Sequence, residues 1–102
     1  MSEAIEFRRA RPEDAPGICD LYAATRTRTK SQDQFRWLYE DNPAGPHRTW
    51  VAVETATGKI VSARPVFPWW VSVAGRRILA SQAGDAATLP EWRGRGLFTR
   101  LV

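Results

Sequence analysis

Residues 93–96 read Arg-Gly-Arg-Gly, followed by the run LFTRLV from Leu97. Glycines let the main chain turn tightly and let a ligand approach backbone N–H groups without meeting a Cβ. The run after them reads as a helix, whose first N–H groups have no partner within the helix and lie at the positive end of its dipole. A turn built this way suits a pyrophosphate. Arg93 and Arg95 would add charge-assisted hydrogen bonds. No Gly-Lys-Ser/Thr follows, so this is not a Walker loop, and with no third glycine and no βαβ unit it is not a dinucleotide fingerprint. By itself such a turn can also be a plain connection.

Other chemically capable residues are few. His47 is the single histidine, in the loop GPHRT, and without partners it reads as a surface residue rather than a metal ligand. Cys19 is the single cysteine, so neither an intrachain disulfide nor a thiolate metal cluster can form. Its place on an apolar helix stripe marks it as packing rather than nucleophilic. No metal site is expected. The net charge of +4 comes almost wholly from arginine, which leans toward an anionic ligand or surface solvation. The N-terminus has no apolar leader and no apolar run reaches spanning length, so a cytoplasmic protein without membrane contact is expected.

The elements that must position these residues follow from periodicity. At 102 residues one domain is expected. Ile5-Glu6-Phe7 alternates as a strand. Pro12 suits a first helical position, Glu13 and Asp14 complement its dipole, and Ala15, Ile18, Cys19 and Tyr22 form one apolar face. Residues 25–30 read as a loop. Ser31 and Gln34 form a capping-box signal for a second helix over about 32–40, with Phe35, Leu38 and Tyr39 as its apolar face. TWVAVE and KIVSARPVF, joined by TATG, predict a hairpin; WWVSVAG and RRILASQAGDAATL predict another, around Gly75, whose last strand runs to about Leu89. Trp69 and Trp70 are adjacent, so they face opposite sides of a strand and one of them is expected to be exposed. The class is α+β with a mainly antiparallel sheet.

With that order of elements, the motif Arg93, Gly94, Arg95, Gly96, Leu97, Phe98 resembles the Arg/Gln-x-x-Gly-x-Gly/Ala signature of GNAT-superfamily N-acetyltransferases. ATLPEW before it is similar to the family's strand end followed by proline, an acidic residue and an aromatic. FRRARPEDAPGICDLY and FRWLYEDNPAGP resemble its first strand and first two helices. The resemblance spans the whole chain, as a single domain over residues 1–102. Phe98 departs from the usual Gly or Ala. The family's fold also continues with a further strand that splays from the last one, another helix and closing strands, so the C-terminal half is expected to be absent here.

The resemblance implies transfer of acetyl from acetyl-CoA to a primary amine on a small molecule or peptide. The main chain of Ala87 and Leu89 would pair with pantetheine, and the N–H groups of Arg95, Gly96, Leu97, Phe98 and Thr99 would hold the pyrophosphate. Asp85 is the candidate base or acceptor-binding carboxylate, against a reading as a solvated or salt-bridged strand residue. Tyr22 and Tyr39 lie on apolar helix faces, so no leaving-group acid is named. Two other readings stand beside this one: a basic module binding nucleic acid, which the placement of Trp and Phe in core-like patterns makes unlikely, and an inactive fragment whose unpaired strand invites dimerisation or completion by another segment.

Overall fold

The computed structural model describes residues 4–25, 32–84 and 86–101. Ser31, the expected capping residue, residues 26–30 of the expected loop, and Asp85 lie outside the described residues, as do the side chains of Gln32 and Phe98.

β1 (Ile5–Arg9) leads through a 3₁₀ turn, Pro12–Asp14, into α1 (Ala15–Thr25). Asp14 organises this junction. Its carboxylate accepts from Arg8 Nη1 at 2.7 Å and Nη2 at 3.0 Å, and from the Arg11 main-chain N–H at 2.7 Å. α2 begins at Gln32–Phe35 and continues as a π-helical turn, Arg36–Glu40, in which the Asp41 N–H reaches back five residues to the Arg36 carbonyl at 2.8 Å. The extent matches the expected second helix. The wider last turn was not legible from the 3.6-residue period.

β2 (Arg48–Glu54), β3 (Lys59–Val73), β4 (Arg76–Ala83) and β5 (Ala87–Thr88) complete an antiparallel sheet in the order β1-β2-β3-β4, with β5 also on β3. The two expected strands on either side of Pro68 are one 15-residue strand. Two prolines are tolerated there because neither removes a needed ladder bond. The Pro65 carbonyl accepts from Gly84 at 3.4 Å, so its missing N–H faces the break between β4 and β5. Pro68 lies beyond Val66, the partner of β2's first residue, and its carbonyl accepts from Asn42 Nδ2 at 3.0 Å instead. The expected last strand is likewise two pieces, β4 and β5, interrupted around residues 84–86.

One face of the sheet carries Thr49, Val51 and Phe67 against α1 and α2. Ile18, Leu21 and Tyr22 come from α1 and Phe35 and Tyr39 from α2, all buried. Phe35 stacks on Tyr39 with centroids 4.0 Å apart, and Phe67 meets Tyr39 edge-on at 4.8 Å. Cys19 is half-buried at the margin of this core rather than within it. Trp69 and Trp70 correct the expectation of one exposed tryptophan: they are 36% and 48% exposed, because β3 and β4 run on as a hairpin beyond the helices.

Candidate cofactor site

The site begins where the sheet's third strand changes partners. β4 pairs with the second half of β3 as far as Val66↔Ala83, and β5 then joins the same edge through Ala63↔Ala87 and Ser62↔Thr88. Ser62 Oγ, wholly buried, ties the new strand on by donating to the Ala87 carbonyl at 3.2 Å and meeting Thr88 Oγ1 at 2.7 Å. The Leu89 N–H donates to the Val61 carbonyl at 2.9 Å. In an antiparallel ladder, main-chain groups two residues apart face the same edge. Ala87 and Leu89 therefore turn their main chain toward β3, and Thr88 turns its own to the open edge. There the Thr88 carbonyl accepts from Arg93 Nε at 3.1 Å.

Leu89 stays extended and Pro90 opens a 3₁₀ turn, Pro90–Trp92, with Glu91 exposed and Trp92 buried as the anchor. The next residues carry the chain into α3 (Leu97–Arg100). Gly94 and Gly96 have φ of 79° and 71°, in the left-handed region that other residues enter only at a cost. A Cβ at either position would meet no atom within 4 Å. These glycines are thus required by backbone conformation, and the space above them is open. Arg95 lies with its guanidinium 4.4 Å from the centre of the Trp92 ring and donates from Nη2 to the Glu91 carbonyl at 3.2 Å. Buried Leu97 and Leu101 seat α3 on the sheet, where Arg64 Nη1 donates to the Leu101 carbonyl at 2.9 Å. Thr99 is exposed.

The structure therefore joins Arg93 to Thr88 at the open edge, with Gly94, Arg95 and Gly96 in the turn that follows. Ala87 and Leu89 stand one register position away, with their main chain facing inward. Thr88 was not singled out from sequence, because the register that β5 takes on β3, distant in the chain, decides which residues face inward and leaves no mark in the motif. Asp85 lies outside the described residues.

His47 is not the surface residue its loop suggested. Its ring is half-buried, 4.8 Å from the Tyr39 ring and 6.1 Å from Phe35 between centroids, with Nδ1 2.5 Å from Thr49 Oγ1. Burial, then the nearby charge of Arg9, holds its pKa below the ordinary 6.5. Tyr22 and Tyr39 are wholly buried and join hydroxyls at 2.5 Å, as their helix faces implied. Among the described residues no group of three or more His, Cys, Asp or Glu is placed to hold a metal, and no helix is long and apolar enough to cross a membrane.

Residues 6–102 match the family model for an acetyltransferase (GNAT) domain. No curated protein matches the sequence. Among solved structures, the fold is similar to a conserved protein of unknown function from Enterococcus faecalis described as a probable N-acyltransferase. That match has TM-score 0.74 and 19% identity, and covers 96% of this chain and 24% of that one. It is also similar to a GNAT family acetyltransferase from Brucella melitensis in complex with acetyl-CoA (TM-score 0.68, 22% identity, 98% and 64% covered). A third match is glucosamine-6-phosphate N-acetyltransferase from Arabidopsis thaliana (TM-score 0.72, 20% identity, 97% and 69% covered). The chain thus spans between about a quarter and 69% of the length of these solved relatives.

Proposed function

We infer from the acetyltransferase (GNAT) domain family, to which this chain belongs, that its open strand edge and Arg-Gly-Arg-Gly turn form the wall of an acetyl-CoA site in an N-acetyltransferase. The observation that carries the reading is the turn itself. Two consecutive alternate residues, Gly94 and Gly96, hold positive φ under open space, flanked by Arg93 and Arg95 and leading into a helix. That arrangement suits a pyrophosphate because main-chain N–H groups there are unhindered by Cβ atoms, and Arg93 and Arg95, now held on the Thr88 and Glu91 carbonyls, lie close enough in the chain to turn to an anion.

Acetyl-CoA, when bound, supplies an activated thioester whose carbonyl an amine attacks directly. The residues of this chain orient it. Main-chain donors of residues 95–99 and the side chains of Arg93 and Arg95 would hold the diphosphate. The pantetheine arm would run along the edge of β5 and meet the main chain of Thr88, since the N–H of Leu89 already belongs to Val61. Arg93 would release the Thr88 carbonyl as it turns to phosphate. Holding the thioester in one place beside an incoming amine contributes to catalysis because it removes the entropy of bringing two reactants together. Asp85, three residues before Thr88 in the sequence, is the proposed base or acceptor-binding carboxylate, acting on the amine proton. The acceptor is a primary amine on a small molecule or peptide, met in the cytoplasm.

Calorimetric titration of the chain with CoA tests the reading, with Gly96→Trp as the blocking variant. Saturable binding that the variant loses, while keeping its fold, is the expected result. A folded chain that does not bind CoA, or binds equally well with tryptophan at 96, overturns it.

A further inference from the structure

On the sheet face turned away from α1 and α2, near residues 44–46, lies a cavity of about 370 Å³. That is within the roughly 300–1,000 Å³ of small-molecule sites. Register fixes which side chains share this face. Arg9 stands opposite Trp50, Arg48 is two residues before Trp50 and opposite Val66, and Pro68 is opposite Ser81, with Leu79 two residues further along β4. The alternate residues, Arg8 and Phe67, go to the helix side, where they meet Asp14 and Tyr39.

The cavity has two kinds of wall. Pro46, Val66, Pro68 and Leu79 make it apolar on one side, and Leu79 is 54% exposed. Arg9 and Arg48 also line it, on adjacent strands at a diagonal position, where backbone points lie roughly 7–8 Å apart and long side chains can converge. Other arginines of this face have partners: Arg64 on the Leu101 carbonyl, Arg77 over Trp70 at 4.6 Å, and Arg100 over Phe7 at 4.3 Å. Among the described residues neither Arg9 nor Arg48 makes an ion pair, whereas Arg8 next door is paired with Glu6 and Asp14.

We propose that this cavity binds a small anionic amphiphile, its oxyanion head held between Arg9 and Arg48 and its short apolar body lying against Pro46, Val66, Pro68 and Leu79. Two guanidinium groups lining one cavity favour a carboxylate or a phosphate monoester, both of which accept several parallel hydrogen bonds. The site goes beyond the acetyl-transfer reading and is independent of it, since none of its lining residues belongs to the edge and turn at 87–99.

Gly45, Arg48 and Ser81 line the cavity, so their main-chain amides are local reporters. The chain is titrated by NMR with octanoate, octyl phosphate, octanol and inorganic phosphate, each below its aggregation threshold. The expected result is saturable displacement of these amide signals by one or both anionic octyl probes, their ratio distinguishing carboxylate from phosphate. Octanol and inorganic phosphate should bind at least about tenfold more weakly, the equivalent of about 1.4 kcal/mol. Arg48→Ala, checked for an intact amide spectrum, should lower affinity by about the same factor, Leu79→Ser should also weaken binding, and Gly96→Trp should leave it unchanged. Equal binding of octanol, no saturation with either anionic probe, unchanged affinity in Arg48→Ala, or loss in Gly96→Trp would each overturn the proposal.

Discussion

The main-chain N–H of Leu89 is bonded to the carbonyl of Val61 at 2.9 Å, continuing the phase in which Ala63 pairs with Ala87. That phase turns the main chain of Thr88, and not that of its neighbours, toward the space above the Arg-Gly-Arg-Gly turn.

Hydrogen exchange should read this phase directly. The Leu89 amide, buried in the ladder, is expected to exchange slowly, and the Thr88 amide at the open edge quickly. Addition of CoA should then slow Thr88 selectively. If Leu89 responds to CoA and Thr88 does not, the pantetheine arm does not run along this edge as proposed.

A second prediction concerns the start of α1. The Arg8 guanidinium, then the Arg11 N–H, hold the Asp14 carboxyl below its ordinary 3.8. The unfolded chain therefore takes up this proton first as pH falls, and the stability that Asp14 contributes, complete above about 3.8, is lost as pH drops through 3.8 toward the lower folded value. Asp14→Asn should cost about 1.5–3 kcal/mol at neutral pH, the range for hydrogen bonds to charged groups. It should also flatten the acid limb of urea midpoints measured against pH. A variant that is weakened but keeps the full acid slope would assign that slope to other carboxylates.

These examples divide what the sequence made legible from what it did not. The order of strands and helices, the apolar faces of α1 and α2, and the glycine turn were all visible, because each is a local period or a residue with restricted φ. The fusion of two expected strands into β3 was not, since Pro65 and Pro68 are strand breakers unless their missing donors face a gap, and only the assembled sheet shows those gaps. The same holds at the site. Gly94 and Gly96 announce the turn, but the choice between Thr88 and its neighbours depends on the register that β5 takes on β3 and on Ser62, far away in the chain. His47 misled for a related reason: its loop is polar, but α2 folds back so that the His47 N–H donates to the Tyr39 carbonyl at 2.7 Å and the ring enters an aromatic cluster.

That burial makes His47 a second pH-sensitive group. The fold favours its neutral form, so the unfolded chain binds the proton more readily. Its contribution to stability is whole above 6.5 and declines as pH falls from 6.5 toward the lower folded value. The imidazole faces the rings of Phe35 and Tyr39, the Thr49 hydroxyl and, through space, Arg9. An NMR titration should give a midpoint below 6.5, and Arg9→Ala should move it upward. A midpoint at or above 6.5 would contradict the packing described here.

Asn42 should prove more important than a loop residue normally is. It is 8% exposed, donates from Nδ2 to the Pro68 carbonyl at 3.0 Å and accepts from the Ala44 N–H at 2.9 Å, so it caps β3 where β2 no longer reaches. Asn42→Ala leaves both half-buried main-chain groups without this partner, at a cost of about 1–3 kcal/mol. Chemical denaturation checks the magnitude. Faster amide exchange confined to 66–70 and 42–46 would locate the damage, and a change below about 0.5 kcal/mol, the range of ordinary surface substitutions, would show that water replaces the cap.

Gly94 offers a test that separates conformation from space. Its φ of 79° is strained for an L-residue, yet a Cβ built there meets nothing within 4 Å. Gly94→Ala should therefore lose about 1–2 kcal/mol, the cost of placing an L-residue in the left-handed region, with no steric contribution. A D-alanine placed at 94 by chemical ligation prefers positive φ and should keep the stability of the parent chain. Both can be ranked by thermal unfolding. If the D-residue destabilises as much as the L-residue, positive φ alone does not account for the glycine at 94. If neither does, the turn tolerates another backbone path, and a preformed pyrophosphate cradle is no longer required by these two glycines.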